Sequence, residues 1–192
     1  MGMAVTSGRP QGRLKKHLIH GFAIATTAIA SPTNAKLGES SSAGFTTSWT
    51  GEVSATPEQI WAQLIHPERW WNKSHSWSGN AANFSLTPRS GGCFCEAMPD
   101  KGFVEHARII NATPHQLLRL SGAFGPLQGE ALVGTLSITI KPGTAGKSVI
   151  SFDYVVGGYS RLPLEKIAPA VDMVMGEQHG RLIRLVGTGK AD

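Results

Sequence analysis

Apolar and polar residues alternate over Phe45 to Ser54, where Phe45, Thr47, Trp49, Gly51 and Val53 interleave with Thr46, Ser48, Thr50, Glu52 and Ser54. A period of two predicts a strand with one buried face. Thr56-Pro57-Glu58-Gln59 then supplies a cap, a first-turn proline and an early acid ahead of Ile60, Trp61, Leu64 and Ile65, which predicts a short helix. From Trp77 to Val156 the pattern is of strands broken at Gly91-Gly92, Pro99 to Gly102, Ala112 to His115 and Lys141-Pro142-Gly143, as in an antiparallel meander. Leu136, Ile138 and Ile140, and then Ile150, Phe152, Tyr154 and Val156, alternate most regularly. The period changes at Leu164. Leu164, Ile167, Ala168, Val171, Val174, Met175, Leu182 and Leu185 recur at three and four residues, predicting one long amphipathic helix to about Val186. Its polar side carries Lys166, Asp172, Arg181 and Arg184. Strand, helix, meander and long helix together predict an α+β fold in which the sheet covers the last helix.

Ahead of these elements the order is basic, apolar, small. Lys15-Lys16-His17 ends a basic stretch, Leu18 to Ala30 is an apolar run, and Ser31 to Ala35 are small or polar. That is the order of a secretory signal, with cleavage expected after Ala35, or at the alternative Ala28-Ile29-Ala30. The run is shorter than the roughly 20 residues a membrane span takes. The expected organisation is a signal peptide over 1–35, a flexible linker over 36–44, one domain over 45–187 and a tail over 188–192. A periplasmic or secreted location follows, without stable membrane insertion once the leader is removed.

The 192 residues are 41% hydrophobic, enough for one domain with a real core. The formal charge of +5 sits almost entirely in the leader, where Arg9, Arg13, Lys15 and Lys16 meet no acid, leaving +1 for the rest. A phosphate-binding face thereby loses its support, and no nucleic-acid partner is expected. There is no nucleophile elbow, phosphate loop, paired-cysteine zinc motif or His-Glu-x-x-His, and the seven histidines lack ligand spacing; neither a metal nor a cofactor is expected. Oligomeric state is not legible.

Several segments, Pro57-Glu58-Gln59-Ile60-Trp61, Trp70-Trp71, Gly91-Gly92-Cys93-Phe94-Cys95-Glu96, Leu120-Ser121-Gly122 and Gly125-Pro126-Leu127, resemble the SRPBCC superfamily. The resemblance falls where polyketide cyclase/dehydrase-like proteins meet homologues of the heat-shock ATPase activator, and it covers residues 45 to 187. It implies a helix-grip, START-like fold, a curved antiparallel sheet wrapped around a long C-terminal helix with an internal cavity. That superfamily includes lipid carriers, aromatic-ring cyclases and hormone receptors, so the resemblance carries over no catalytic residue. An exported chain would not meet a cytosolic chaperone, which speaks against the activator role.

Candidate chemistry concentrates in three places. Trp70, Trp71, His75 and Trp77 form an aromatic cluster that suits either core filling or the rim of a ligand pocket. Cys93 and Cys95 stand two residues apart, about 6.6 Å on a regular strand, too far for a disulfide. Two buried thiols are therefore expected; a bulge at Gly91-Gly92 would permit the bond, and metal binding is the third option. The turn at Pro99 to Gly102 sets a register with Met98 opposite Phe103, Cys95 opposite His106, Cys93 opposite Arg108 and Glu96 opposite Glu105. Burying two facing carboxylates is costlier than burying Cys with His, so the Cys95/His106 face is expected inward. Gln178 interrupts the apolar stripe of the last helix beside His179, and its polar group needs a partner, with Cys95 and His106 as the expected pair, or a ligand. The candidate ligand-binding residues are thus Trp70, Trp71, His75, Cys95, His106 and Gln178. Three functions remain open: an exported binding protein for a small hydrophobic or aromatic molecule, a cofactor-free cyclase or dehydratase, and a protein-interaction domain using the Trp-rich surface.

Overall fold

A computed structural model describes residues 1–3 and 34–192; the basic and apolar parts of the expected leader lie outside the described residues. Eight strands form one antiparallel sheet. They are β1 (Asn34–Ser41), β2 (Gly44–Val53), β3 (Phe84–Leu86), β4 (Cys93–Ala97), β5 (Phe103–Thr113), β6 (Leu117–Ser121), β7 (Ala131–Pro142) and β8 (Ser148–Tyr159). Their order is β1-β2-β8-β7-β6-β5-β4-β3, so β2 crosses to pair with the last strand. Helix α1 (Pro57–Leu64) follows β2, and α2 (Leu164–Thr188) closes the chain. This is the α+β architecture that the periodicity predicts, in the helix-grip arrangement that the resemblance implies.

Local chemistry accounts for the elements. Thr56 caps α1 through a capping box, its hydroxyl accepting from the Gln59 amide while the Gln59 side chain accepts from the Thr56 amide. Gly189 ends α2 in the left-handed conformation. Every expected inner position of β2 is buried, and those of β7 and β8 continue the same face under α2.

Two expectations about boundaries are corrected. Residues 36–44, expected as a flexible linker, are strand β1 and its turn, because backbone pairing of Asn34 to Leu37 with Thr50 to Thr47 needs no apolar signal in the sequence. The tail expected over 188–192 folds back: Ala191 is buried, its carbonyl accepts from Arg184 Nε, and Asp192 pairs with Arg181.

The β4–β5 hairpin is the larger correction. Cys93 does face Arg108, but Phe94 faces Ala107 and Cys95 faces Glu105, so His106 is an extra residue bulged out of β5. Beyond the bulge Glu96 faces Val104, and Phe103 faces Ala97 rather than Met98. The inward face is that of Phe94 and Glu96, not of the cysteines, and the bulge turns His106 inward to join them. The two carboxylates never oppose each other. Glu105 turns outward to Arg108 at 2.8 Å, leaving one acid to bury and an imidazole beside it. Cys93 and Cys95 are disulfide-bonded instead of free thiols: the Cα atoms are drawn to 5.5 Å, inside the range that a disulfide bridges.

Candidate functional site

The space deep beneath the sheet is filled. Trp70 and Trp71 are both buried, and their rings lie 5.6 Å apart. Trp70 packs 6.3 Å from Phe152, and Trp71 5.0 Å from Phe94 and 6.1 Å from Phe124. What remains among Trp70, Trp71, Phe94 and Leu120 is a gap of about 10 Å³, about the least that holds one water.

An open apolar cleft of about 510 Å³ lies further out, within the size range of small-molecule sites. One wall is the first half of α2, through Ile167, Ala170, Val171, Val174 and Met175. The second is the segment after α1, with Trp71 at the floor, Ser74 and His75 along it, and Trp77, 54% exposed, at the rim. Phe124, Gly125 and Pro126 make the third, on the turn between β6 and β7.

Each irregular wall is tied to the frame by a buried polar group. Glu96 is fully buried and accepts three hydrogen bonds: from the Trp77 amide at 3.0 Å, the Ser78 amide at 2.6 Å and His106 Nε2 at 2.9 Å. Burial pushes its carboxyl up, but the hydrogen bonds from Ser78, Trp77 and His106 outweigh it and hold the group below the usual carboxylate value. Burial drives the His106 imidazole down, more than Glu96 lifts it. An ionised carboxylate only accepts, so Nε2 of His106 carries a proton, and burial disfavours a second proton on the ring. On the other side of the same segment, Gln178 Oε1 accepts from the Asn72 amide at 2.8 Å, and Glu177 accepts from the Asn72 side chain and from His75 Nε2 at 3.0 Å. The turn that carries Phe124 is held by Tyr154, whose hydroxyl donates to the Gly122 carbonyl and accepts from the Phe124 amide, both at 3.1 Å. Burial keeps that phenol protonated by raising it above its ordinary value. Gly134 leaves it room, since a Cβ there would stand 2.5 Å from the hydroxyl.

Of the six residues singled out from sequence, the structure brings Trp71 and His75 to the cleft. Trp70 belongs to the core, and its carbonyl accepts from Arg181 Nε. Cys95 lies on the outer side of the sheet, so the expected pairing of Gln178 with Cys95 and His106 does not form. Gln178 is a buried structural link to Asn72, and His106 serves Glu96. Sequence reasoning missed Phe124 and Pro126, which sit in a turn without periodicity, and Glu177, which reads as an ordinary polar helix position. Trp77 was visible in the aromatic cluster. Among the described residues no group of three or more His, Cys, Asp or Glu side chains is placed to hold a metal ion, and no helix is long and apolar enough to cross a membrane.

Sheet, closing helix and cleft together define a helix-grip fold with an outward-opening apolar cleft. Solved structures of the same fold include EF2215 from Enterococcus faecalis, a conserved protein of unknown function, at 13% identity and TM-score 0.55, covering 82% of this chain and 80% of that one. CalU16 from Micromonospora echinospora matches at 13% identity and TM-score 0.52 over 83% and 84% of the two chains. DynU16, a protein of the dynemicin biosynthetic locus, matches at 18% identity and TM-score 0.52 over 75% of this chain and 48% of its own. No family model and no curated protein sequence matches the chain.

Proposed function

We propose that this is an exported protein that binds a small hydrophobic or aromatic molecule in the cleft between α2, the segment from Trp71 to Trp77 and the turn at Phe124. The observation that carries the reading is the cleft itself, about 510 Å³ bounded by three aromatic rings and an aliphatic helix face. Such a surface gains about 25 cal/mol for each Å² of apolar area removed from water. Its few polar groups, Ser74, His75 and Ser76, lie along one wall, where they would orient a ligand carrying one polar end. Export is supported by the basic, apolar and small-residue order ahead of Lys36 and by the Cys93–Cys95 disulfide, a bond that persists in oxidising compartments. Strand β1 starts at Asn34, so cleavage after Ala35 would leave most of the strand in place.

The test is titration of the purified chain with a panel of fatty and aromatic compounds while tryptophan fluorescence is followed. Saturable quenching is expected, and Val174→Trp should abolish it without lowering the melting temperature. No saturable binder, or binding indifferent to Val174→Trp, would overturn the reading. N-terminal sequencing of the chain from its native host tests export: a new end near Lys36 is expected, and an intact Met1 end recovered from the cytoplasm refutes it.

A further inference from the structure

We propose that His75, seated against Glu177 in the wall of the cleft, is a general base that removes a proton from carbon in an apolar ligand activated by a carbonyl or similar acceptor group. The inference rests on the cleft being the ligand site.

Five histidines lie among the described residues, and their surroundings separate them. His106 and His179 are buried, 5% and 0% exposed, with Nε2 committed to Glu96 and to the Ile150 carbonyl. His66 and His115 are exposed and lie outside the cleft wall, near Glu68 and Glu58. Only His75 combines a carboxylate partner with a place in that wall.

The partner fixes the tautomer. Glu177 Oε2 lies 3.0 Å from His75 Nε2, and a carboxylate only accepts, so Nε2 carries a hydrogen, and in the neutral ring the lone pair is on Nδ1. Nδ1 has no protein partner among the described residues. Glu177 stays ionised: burial raises its carboxyl, but the hydrogen bonds from Asn72 and His75 and the electrostatic pull of the His75 and Arg181 side chains bring it below the ordinary value. The acid would then stabilise the imidazolium that proton abstraction creates, as the orienting group of a base dyad does. Trp71, Trp77 and Val174 line the same cleft and set the apolar surface against which a ligand would meet the ring.

The step balances without another reactant. A C–H bond of the ligand breaks, its electron pair remains on the ligand as a delocalised anion, and the proton passes to Nδ1. Return of that proton to the far end of the anion completes an isomerisation and restores the neutral ring. Glu177 touches no substrate and is a positioning residue.

Nitrobenzisoxazole tests this, since a base removes its ring C–H proton as the N–O bond opens to a coloured nitrophenolate. Saturable turnover is expected, falling about 100-fold or more in His75→Ala, the scale of general-base catalysis, and partly restored by free imidazole. Glu177→Gln should lower kcat while leaving KM nearly unchanged, and His66→Ala should leave both as they are. Melting curves of each variant report folding. If the probe quenches tryptophan saturably but is not turned over, or if His75→Ala turns it over as fast as the parent, the base is refuted and the cleft stands. If the probe does not bind, the base proposal falls, and the cleft reading falls with it only if the wider panel also yields no saturable binder.

Discussion

Replacing Glu96 with Gln isolates what the buried acid contributes to the wall of the cleft. The two carboxylate oxygens carry different loads: Oε2 accepts from the Trp77 amide and from His106, and Oε1 accepts from the Ser78 amide at 2.6 Å. A Gln amide has one acceptor and one donor end. Its better orientation keeps oxygen at the Oε2 position, leaving an NH2 group against the Ser78 N–H. One charge-assisted hydrogen bond then becomes a donor facing a donor, which costs about 2–3 kcal/mol, and the other two fall from charged to neutral strength at about 0.5 kcal/mol each. The expected loss of about 3–4 kcal/mol is a large share of the roughly 5–15 kcal/mol that stabilises a domain. It corresponds to a melting temperature lower by about 6–16 °C for a chain of this size. Urea denaturation followed by circular dichroism measures the loss, and amide exchange at Trp77 and Ser78 locates it. A variant within about 0.5 kcal/mol of the parent would mean that Glu96 does not hold the segment, and the account of the second wall would be wrong.

Three further outcomes follow from the same packing. Gly176→Ala places a Cβ 2.6 Å from Trp49 Nε1 and should destabilise by about 1–3 kcal/mol, read by the same denaturation; a neutral result would show that α2 shifts freely over β2. Burial holds His106 and His179 below the ordinary 6.5, against the raising effects of Glu96 and the Ile150 carbonyl respectively. The unfolded chain therefore takes up these protons first: the contribution is whole above about pH 6.5 and is lost as pH falls towards the folded values, at no more than about 2.7 kcal/mol per pH unit for the two groups together. A denaturation midpoint that stays flat between about pH 7 and about pH 5 would contradict both burials. Reduction of Cys93–Cys95 should cost only about 1.5 kcal/mol, because the bond closes a loop with a sequence separation of 2; mass spectrometry should find the native chain two hydrogens lighter than the reduced one, and equal masses would exclude the bond.

What was legible in the sequence is what depends on neighbours along the chain. The capping box at Thr56, the alternation of β2, β7 and β8 and the stripe of α2 are local patterns, and each element falls where its pattern lies. The helix residues Ile167, Val171, Val174 and Met175 of the cleft wall come from the same stripe. The β4–β5 hairpin was illegible because its facing turns on a single residue. One bulge at His106 shifts the partner of Cys95 from His106 to Glu105, and a shift of one residue exchanges the faces of a strand. The inward acid, the outward cysteines and the inward imidazole all follow from that one event. The anchors of the cleft share a further property. Glu96 reaches Trp77 across 19 residues, Tyr154 reaches Phe124 across 30, and Gln178 reaches Asn72 across 106. In sequence each is an ordinary polar or amphipathic residue in a regular element, and only its distant partner marks it. Because the walls they hold are irregular segments with little periodicity of their own, the shape of the cleft is set by long-range polar contacts laid over a frame set by short-range apolar ones. Substitutions at these three anchors should therefore reshape the cleft as well as cost stability, with the sheet and α2 keeping their arrangement, whereas substitutions in the alternating core should cost stability without first altering the cleft.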